Sequence, residues 1–95
     1  MADRNFYVVV YDVVDDKRRT KLSKYLESIG DRVQKSVFEI YLTPQELEKL
    51  LKRLEKFIEK KEDSVRVYFL CETCRGKVRN IGQGKVTSPP GVVII

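Results

Sequence analysis

Histidine and tryptophan are absent from these 95 residues, and methionine occurs once. Without histidine, and with no serine or cysteine coupled to a base, hydrolysis by a nucleophilic triad is excluded. With only two cysteines, one chain also lacks a complete zinc ligand set. No run approaches the ~20 apolar residues that a membrane span needs, so no membrane partner is expected. The apolar run Phe6 to Val14 is interrupted by Asp12 and has no small-residue cleavage site after it, so it does not read as a signal peptide. A cytoplasmic protein is expected. No repeat, linker or low-complexity segment stands out.

What the chain does have is charge. Charged residues make up 35% of it, with 19 Lys plus Arg against 14 Asp plus Glu, a net +5. The bases are clustered. Seven bases and two acids, Glu27 and Asp31, lie between Lys17 and Lys35; after Glu72 no acid remains, while Arg75, Lys77, Arg79 and Lys85 do. Two basic stretches on a small domain point to a polyanion, most often nucleic acid. A merely solvated surface is the alternative that +5 alone would favour. The Lys and Glu crowded into the second half are of the kind found in proteins working at high temperature.

At 11.1 kDa the chain is one domain, with a core over residues 5–82 and a tail over 83–95. Phe6 to Val14 is β-branched and aromatic, the pattern of a central strand covered on both faces. Leu22, Tyr25, Leu26 and Ile29 form one helical stripe, with Asp15 or Asp16 as N-cap and Gly30 as left-handed terminator. Residues 32–36 and 38–42 read as two short strands joined by a bend near Ser36 and Val37. Thr43-Pro44-Gln45-Glu46 carries a capping box, and Leu47, Leu50, Leu51, Leu54, Phe57 and Ile58 make the stripe of a second helix. Glu46–Lys49 and Glu48–Lys52 are expected to pair on its outer face. Val65 to Leu70 is a further apolar strand. The order is βαββαβ, the ferredoxin-like α+β pattern, with two helices on one face of an antiparallel sheet.

That arrangement leaves the other sheet face bare and apolar, which monomers avoid. A homodimer is the simplest cover. Val92-Val93-Ile94-Ile95, behind Pro89-Pro90, reads as a short C-terminal strand added to a sheet edge.

Three stretches invite a chemical reading. Cys71-Glu72-Thr73-Cys74 has neither the second pair that a zinc site needs nor a following helix for a thioredoxin-like site; two semi-buried thiols or a stabilising bridge is the favoured reading. Ile81-Gly82-Gln83-Gly84-Lys85 reads as a flexible turn, since no Ser or Thr follows to make it a phosphate loop. Asp12 is the third. A hard cation such as Mg²⁺ takes one or two carboxylates plus water, and can activate that water against a phosphodiester. An acid that merely ends a strand or caps a turn is the simpler alternative on local pattern.

The run Val10-Tyr11-Asp12-Val13, the basic helix from Lys17, the segment Arg32-Val33-Gln34-Lys35-Ser36-Val37-Phe38-Glu39 and the segment Asp63-Ser64-Val65-Arg66-Val67-Tyr68 resemble the CRISPR-associated Cas-two family. This is the smaller of the two core proteins that acquire new spacers in antiviral defence. The resemblance implies a ferredoxin-like homodimer whose strand-end aspartates face one another, and a metal-dependent endonuclease acting on RNA or double-stranded DNA. It also implies a CRISPR integrase as partner. Asp12 matches the family's metal-binding aspartate, with Mg²⁺ as the expected ion. Ser36 and Phe38 match an interface-proximal pair. Lys17, Arg18, Arg19, Lys21, Arg32 and Lys35 are the expected nucleic-acid contacts. Two functions stay open beside each other: a nuclease, and a non-catalytic scaffold that grips duplex DNA and bridges the integrase. A plain RNA-binding ferredoxin-like module ranks last, for want of paired stacking aromatics.

Overall fold

The computed structural model describes residues 4–84 and 86–87. Strand β1 (Asn5–Asp12) is followed by α1 (Asp16–Glu27), β2 (Asp31–Gln34), β3 (Val37–Leu42), α2 (Pro44–Phe57), β4 (Ser64–Leu70) and a short α3 (Glu72–Arg75). The sheet is antiparallel in the order β2-β3-β1-β4, so β1 is central, as its composition predicts. The βαββαβ order and ferredoxin-like fold stand, with α3 as an addition. Among the described residues no helix is long and apolar enough to cross a membrane. The Val92 to Ile95 strand lies outside the described residues.

Side chains directly opposite one another on neighbouring strands share a face. Tyr7, Val9 and Tyr11 of β1 therefore stand with Ile40 and Phe38 of β3 and with Val65 and Val67 of β4. On this face Leu22 and Leu26 of α1 and Leu50 and Leu54 of α2 complete the core. Each such large apolar side chain contributes about 1.5–3 kcal/mol when fully buried. The two helices meet through Tyr25 and Phe57, stacked with ring centroids 5.2 Å apart.

Local chemistry explains most boundaries. The Asp15 side chain accepts the Arg18 N–H and starts α1. Thr43 and Glu46 exchange side-chain and backbone hydrogen bonds at 3.2 and 2.8 Å, which forms the expected capping box. Glu46 is thereby turned away from Lys49, and neither expected pair on α2 occurs among the described residues. Leu51 belongs to the stripe by spacing yet is 39% exposed. Gly30 does not terminate α1 by a left-handed conformation, because among the described residues only Gly82 and Gly84 have positive φ. It is glycine for room: a Cβ there would sit 2.4 Å from Ile40 Cγ1 and 2.8 Å from the Glu39 carbonyl oxygen. Gly82 and Gly84 shape a loop that is tied rather than loose, since Asn80 Nδ2 donates to the Gly82, Gln83 and Gly84 carbonyls.

The open face is not left wholly to a partner. At one end, Phe6 and Tyr41 are buried although no helix of the core layer reaches them. Arg75 of α3 lies over both rings, at 5.7 and 5.8 Å, and donates to the Thr87 carbonyl, while the Thr87 N–H donates to Glu39 at 2.9 Å. At the other end Val8, Val10 and Val37 are half-buried and Tyr68 is 47% exposed. β4 is an edge strand.

Candidate functional site

Asp12 is the last residue of β1, opposite Ser64 of β4, and it is exposed. Alternation places it on the open face with Val8 and Val10, whose opposite residues on β4 are Tyr68 and Arg66. The Arg66 guanidinium donates to the Tyr68 hydroxyl at 3.2 Å. A carboxylate, a cation and a phenol thus share the bare end of the sheet.

Asp63 builds the turn after Asp12. Its side chain is fully shielded from solvent. It accepts the Val14 N–H at 3.0 Å, the Glu59 N–H at 2.9 Å, and Arg18 Nε and Nη2 at 2.9 and 3.3 Å. The Arg18 guanidinium first, with the two backbone donors, holds its carboxyl down at about 2 against the cost of burial. Arg18 also reaches Glu62 at 3.0 Å, and its own pKa is raised chiefly by the Asp63 bond. Arg19 donates to the Val13 carbonyl at 2.8 Å and pairs with Asp16. Val14 leaves the strand because Asp63 captures its N–H, which is why β1 stops at Asp12.

The expected phosphate contacts divide by residue type. Lys17 and Lys21 are exposed and, with Lys24, Asp16 and Thr20, border a shallow depression on α1. Lys35 is exposed in the β2–β3 turn, where its carbonyl accepts the Tyr11 hydroxyl. Arg18, Arg19 and Arg32 are engaged internally; Arg32 meets Glu27 at 3.3 Å and lies 5.4 Å from the centre of the Phe38 ring. Ser36 is half-buried in the turn and accepts the Tyr11 N–H. Phe38, expected near an interface, is instead wholly buried on the helix side, stacked on Tyr11 at 6.2 Å. A second chain has no access to it in this arrangement.

Acids near the strand end are committed, with one exception. Asp15 caps α1, and that bond to the Arg18 N–H lowers its pKa; Asp16 meets Arg19 and Asp63 meets Arg18. Among the described residues no hydrogen bond or ion pair engages the Asp12 carboxylate. Nor do the described residues contain any group of three or more His, Cys, Asp or Glu arranged to hold a metal. Among the described residues, one chain therefore offers a single uncommitted carboxylate at this strand end. That donor set fits a hydrated Mg²⁺ as half a site, completed by another carboxylate or by water.

The family model for CRISPR associated protein Cas2 matches residues 5–78. The chain belongs to the Cas2 family. It is 44% identical over 89 residues to a CRISPR-associated endoribonuclease Cas2 of Synechocystis, covering 94% of this chain and 97% of that one. To a CRISPR-associated endonuclease Cas2 of Thermus thermophilus it is 41% identical over 81 residues, covering 85% and 86%. The Streptococcus pyogenes Cas2 crystal structure superposes with a TM-score of 0.73 at 35% identity, over 81% of this chain and 99% of that one. A chain from a partial Cas6-RT-Cas1–Cas2 complex superposes with 0.76 at 30% identity, over 96% and 99%. In this Cas2-family chain, sequence reasoning singled out Asp12 but missed Asp63 and Arg66 as parts of its surroundings. The Asp63-to-Tyr68 segment carried part of the resemblance, yet nothing local shows that it meets the strand end 49 residues earlier.

Proposed function

We propose that this chain acts as a homodimer in spacer acquisition, cleaving RNA or duplex-DNA phosphodiesters with a divalent ion held by Asp12 from each copy. The observation that carries this is Asp12 itself: exposed and uncommitted, at the bare end of a sheet where every neighbouring acid already has a partner. Two such carboxylates facing one another would repel, and a cation between them relieves that cost. When bound there, Mg²⁺ supplies a water of lowered pKa and neutralises charge on the scissile phosphate. The chain's own contributions are orientation and charge. The Asp63–Arg18 clamp fixes the backbone that follows Asp12, Arg66 offers a cation on the same face, and Lys17, Lys21 and Lys35 hold flanking phosphates. Arg18, Arg19 and Arg32 serve nucleic acid only by sharing their guanidiniums with Asp63, Asp16 and Glu27.

The test is Asp12→Asn. Mg²⁺-dependent cleavage is expected to be lost while nucleic-acid binding persists, because the amide is nearly isosteric and less negative. Cleavage that survives in a nuclease-free preparation of the variant removes Asp12 from the mechanism.

The second reading, a duplex-DNA scaffold that bridges the integrase, is favoured by two observations. A structural neighbour comes from a complex that includes Cas1, and one chain supplies a single carboxylate. Spacer integration with the integrase should then be unaffected by Asp12→Asn. In either reading the lysines act through phosphates, each contributing roughly −0.9 to the slope of log K against log salt. Replacing Lys17, Lys21 and Lys35 together by alanine should flatten that slope by about 2.7, and an unchanged slope makes them solvated surface only.

A further inference from the structure

Cys71 and Cys74 take no part in the chemistry above. Among the described residues no helix follows the pair, as the sequence suggests, but a short one contains it: Cys71 is the N-cap of the four-residue α3 and Cys74 lies within that turn. Both are exposed and unbridged, not semi-buried. Cys71 has extended backbone, φ −66° and ψ 165°, and its Sγ accepts the Cys74 N–H at 3.4 Å. A sulfur that accepts a backbone N–H is favoured as thiolate. The hydrogen bonds from Cys74, that backbone one first, lower the Cys71 thiol from its ordinary range, while the side-chain hydrogen bond to Cys71 raises Cys74. The two sulfurs are thus unequal: their surroundings favour the thiolate at Cys71 over the thiolate at Cys74.

The spacing also permits closure. Cys71 is already outside the helix, and the Cys74 N–H is one of the first-turn donors that no helical carbonyl claims. A bond between the two sulfurs replaces that hydrogen bond without breaking the ladder of α3. A metal is the weaker occupant, since among the described residues no third ligand joins the pair.

We propose that Cys71 and Cys74 form a redox-active dithiol that exchanges with small disulfides, Cys71 attacking and Cys74 resolving. The Cys71 thiolate attacks one sulfur of a disulfide such as oxidised glutathione, forming a mixed disulfide and expelling one thiolate. Cys74, on losing its proton, attacks Cys71 Sγ and expels the second. The protein gives up two electrons and two protons, and the small disulfide becomes two thiols. The bond so formed clamps the first turn of the helix whose next residue, Arg75, covers Phe6 and Tyr41.

The experiment is exposure of the reduced protein to oxidised glutathione, followed by mass measurement of wild type, Cys71→Ser and Cys74→Ser. Serine at position 71 retains an N-cap oxygen, and both sites are exposed, so both variants should fold; melting curves check this. Wild type is expected to lose two hydrogens without accumulating an adduct. Cys74→Ser should accumulate a stable glutathione adduct on Cys71, and Cys71→Ser should react several times more slowly. Equal adduct formation in the two variants overturns the assignment of roles. Wild type that stays reduced, stops at the adduct, or holds stoichiometric zinc against a chelator overturns the dithiol.

Discussion

The two ends of the open sheet face are built from the same three strands and finished in opposite ways. At the Phe6 end the chain covers its own apolar surface: Arg75 of α3 lies over Phe6 and Tyr41 and donates to the Thr87 carbonyl, and Thr87 in turn donates to Glu39. At the Asp12 end Val8 and Val10 are only half-buried and Tyr68 is 47% exposed. That end is nonetheless the more heavily braced, because Asp63 fixes the turn beneath it with four hydrogen bonds. One end is covered and the other is stiffened but bare. A surface meant for a partner needs the second treatment, since ordering it in advance lowers the entropy lost on association.

The comparison is most directly broken at Asp63. Asp63→Asn leaves the Arg18 guanidinium without its buried anion and weakens the hold on the Val14 and Glu59 N–H groups. A fall in melting temperature on the order of 10 °C is expected. A change within a degree or two would show that the turn holds itself. Next in size is Val10→Glu on the bare end. If two copies meet there, self-association measured by sedimentation should weaken by at least about tenfold, because a charge is then buried at the contact. Unchanged association would move the dimer contact elsewhere on the molecule.

Arg75→Ala tests the covered end. Loss of two ring contacts and the Thr87 bond should lower the melting temperature by about 5 °C while leaving association intact. Should association fall and stability hold, the two ends would have exchanged roles. The smallest effect is on the acid limb of stability. The folded pKa of Asp63 lies near 2, below its ordinary value of 3.8, so its stabilisation is complete above about pH 4 and is lost as pH falls through about 2. The acid unfolding curve of Asp63→Asn should be flatter than wild type across that window.

What the sequence revealed follows the distance between the groups involved. The capping box at Thr43 and Glu46 was legible because both partners lie within one helical turn. The centrality of β1 was legible because a run without polar alternation has nowhere else to go. Asp12 drew attention as a charge inside that run. Asp63 did not, because its partners Val14 and Arg18 are 49 and 45 residues away. The covered end was missed for the same reason, and α3 also because four residues carry no periodicity. Gly30 was misread because a glycine after a helix ordinarily signals a left-handed cap, whereas here the demand comes from Ile40 of β3. Phe38 was misplaced because strand residues alternate between faces, and only the register decides which face is the interior.

The clamp between Arg18 and Asp63 also dictates when the Asp12 end comes into being. It closes a loop of 45 residues that contains β2, β3 and all of α2. Such a closure is entropically costly until the intervening elements are in place. The turn beyond Asp12 is therefore expected to take shape late on the folding route, after β4 has joined the sheet. Interactions formed that late act mainly on the unfolding rate. Asp63 is accordingly a residue that sets how long the bare end, once made, stays made.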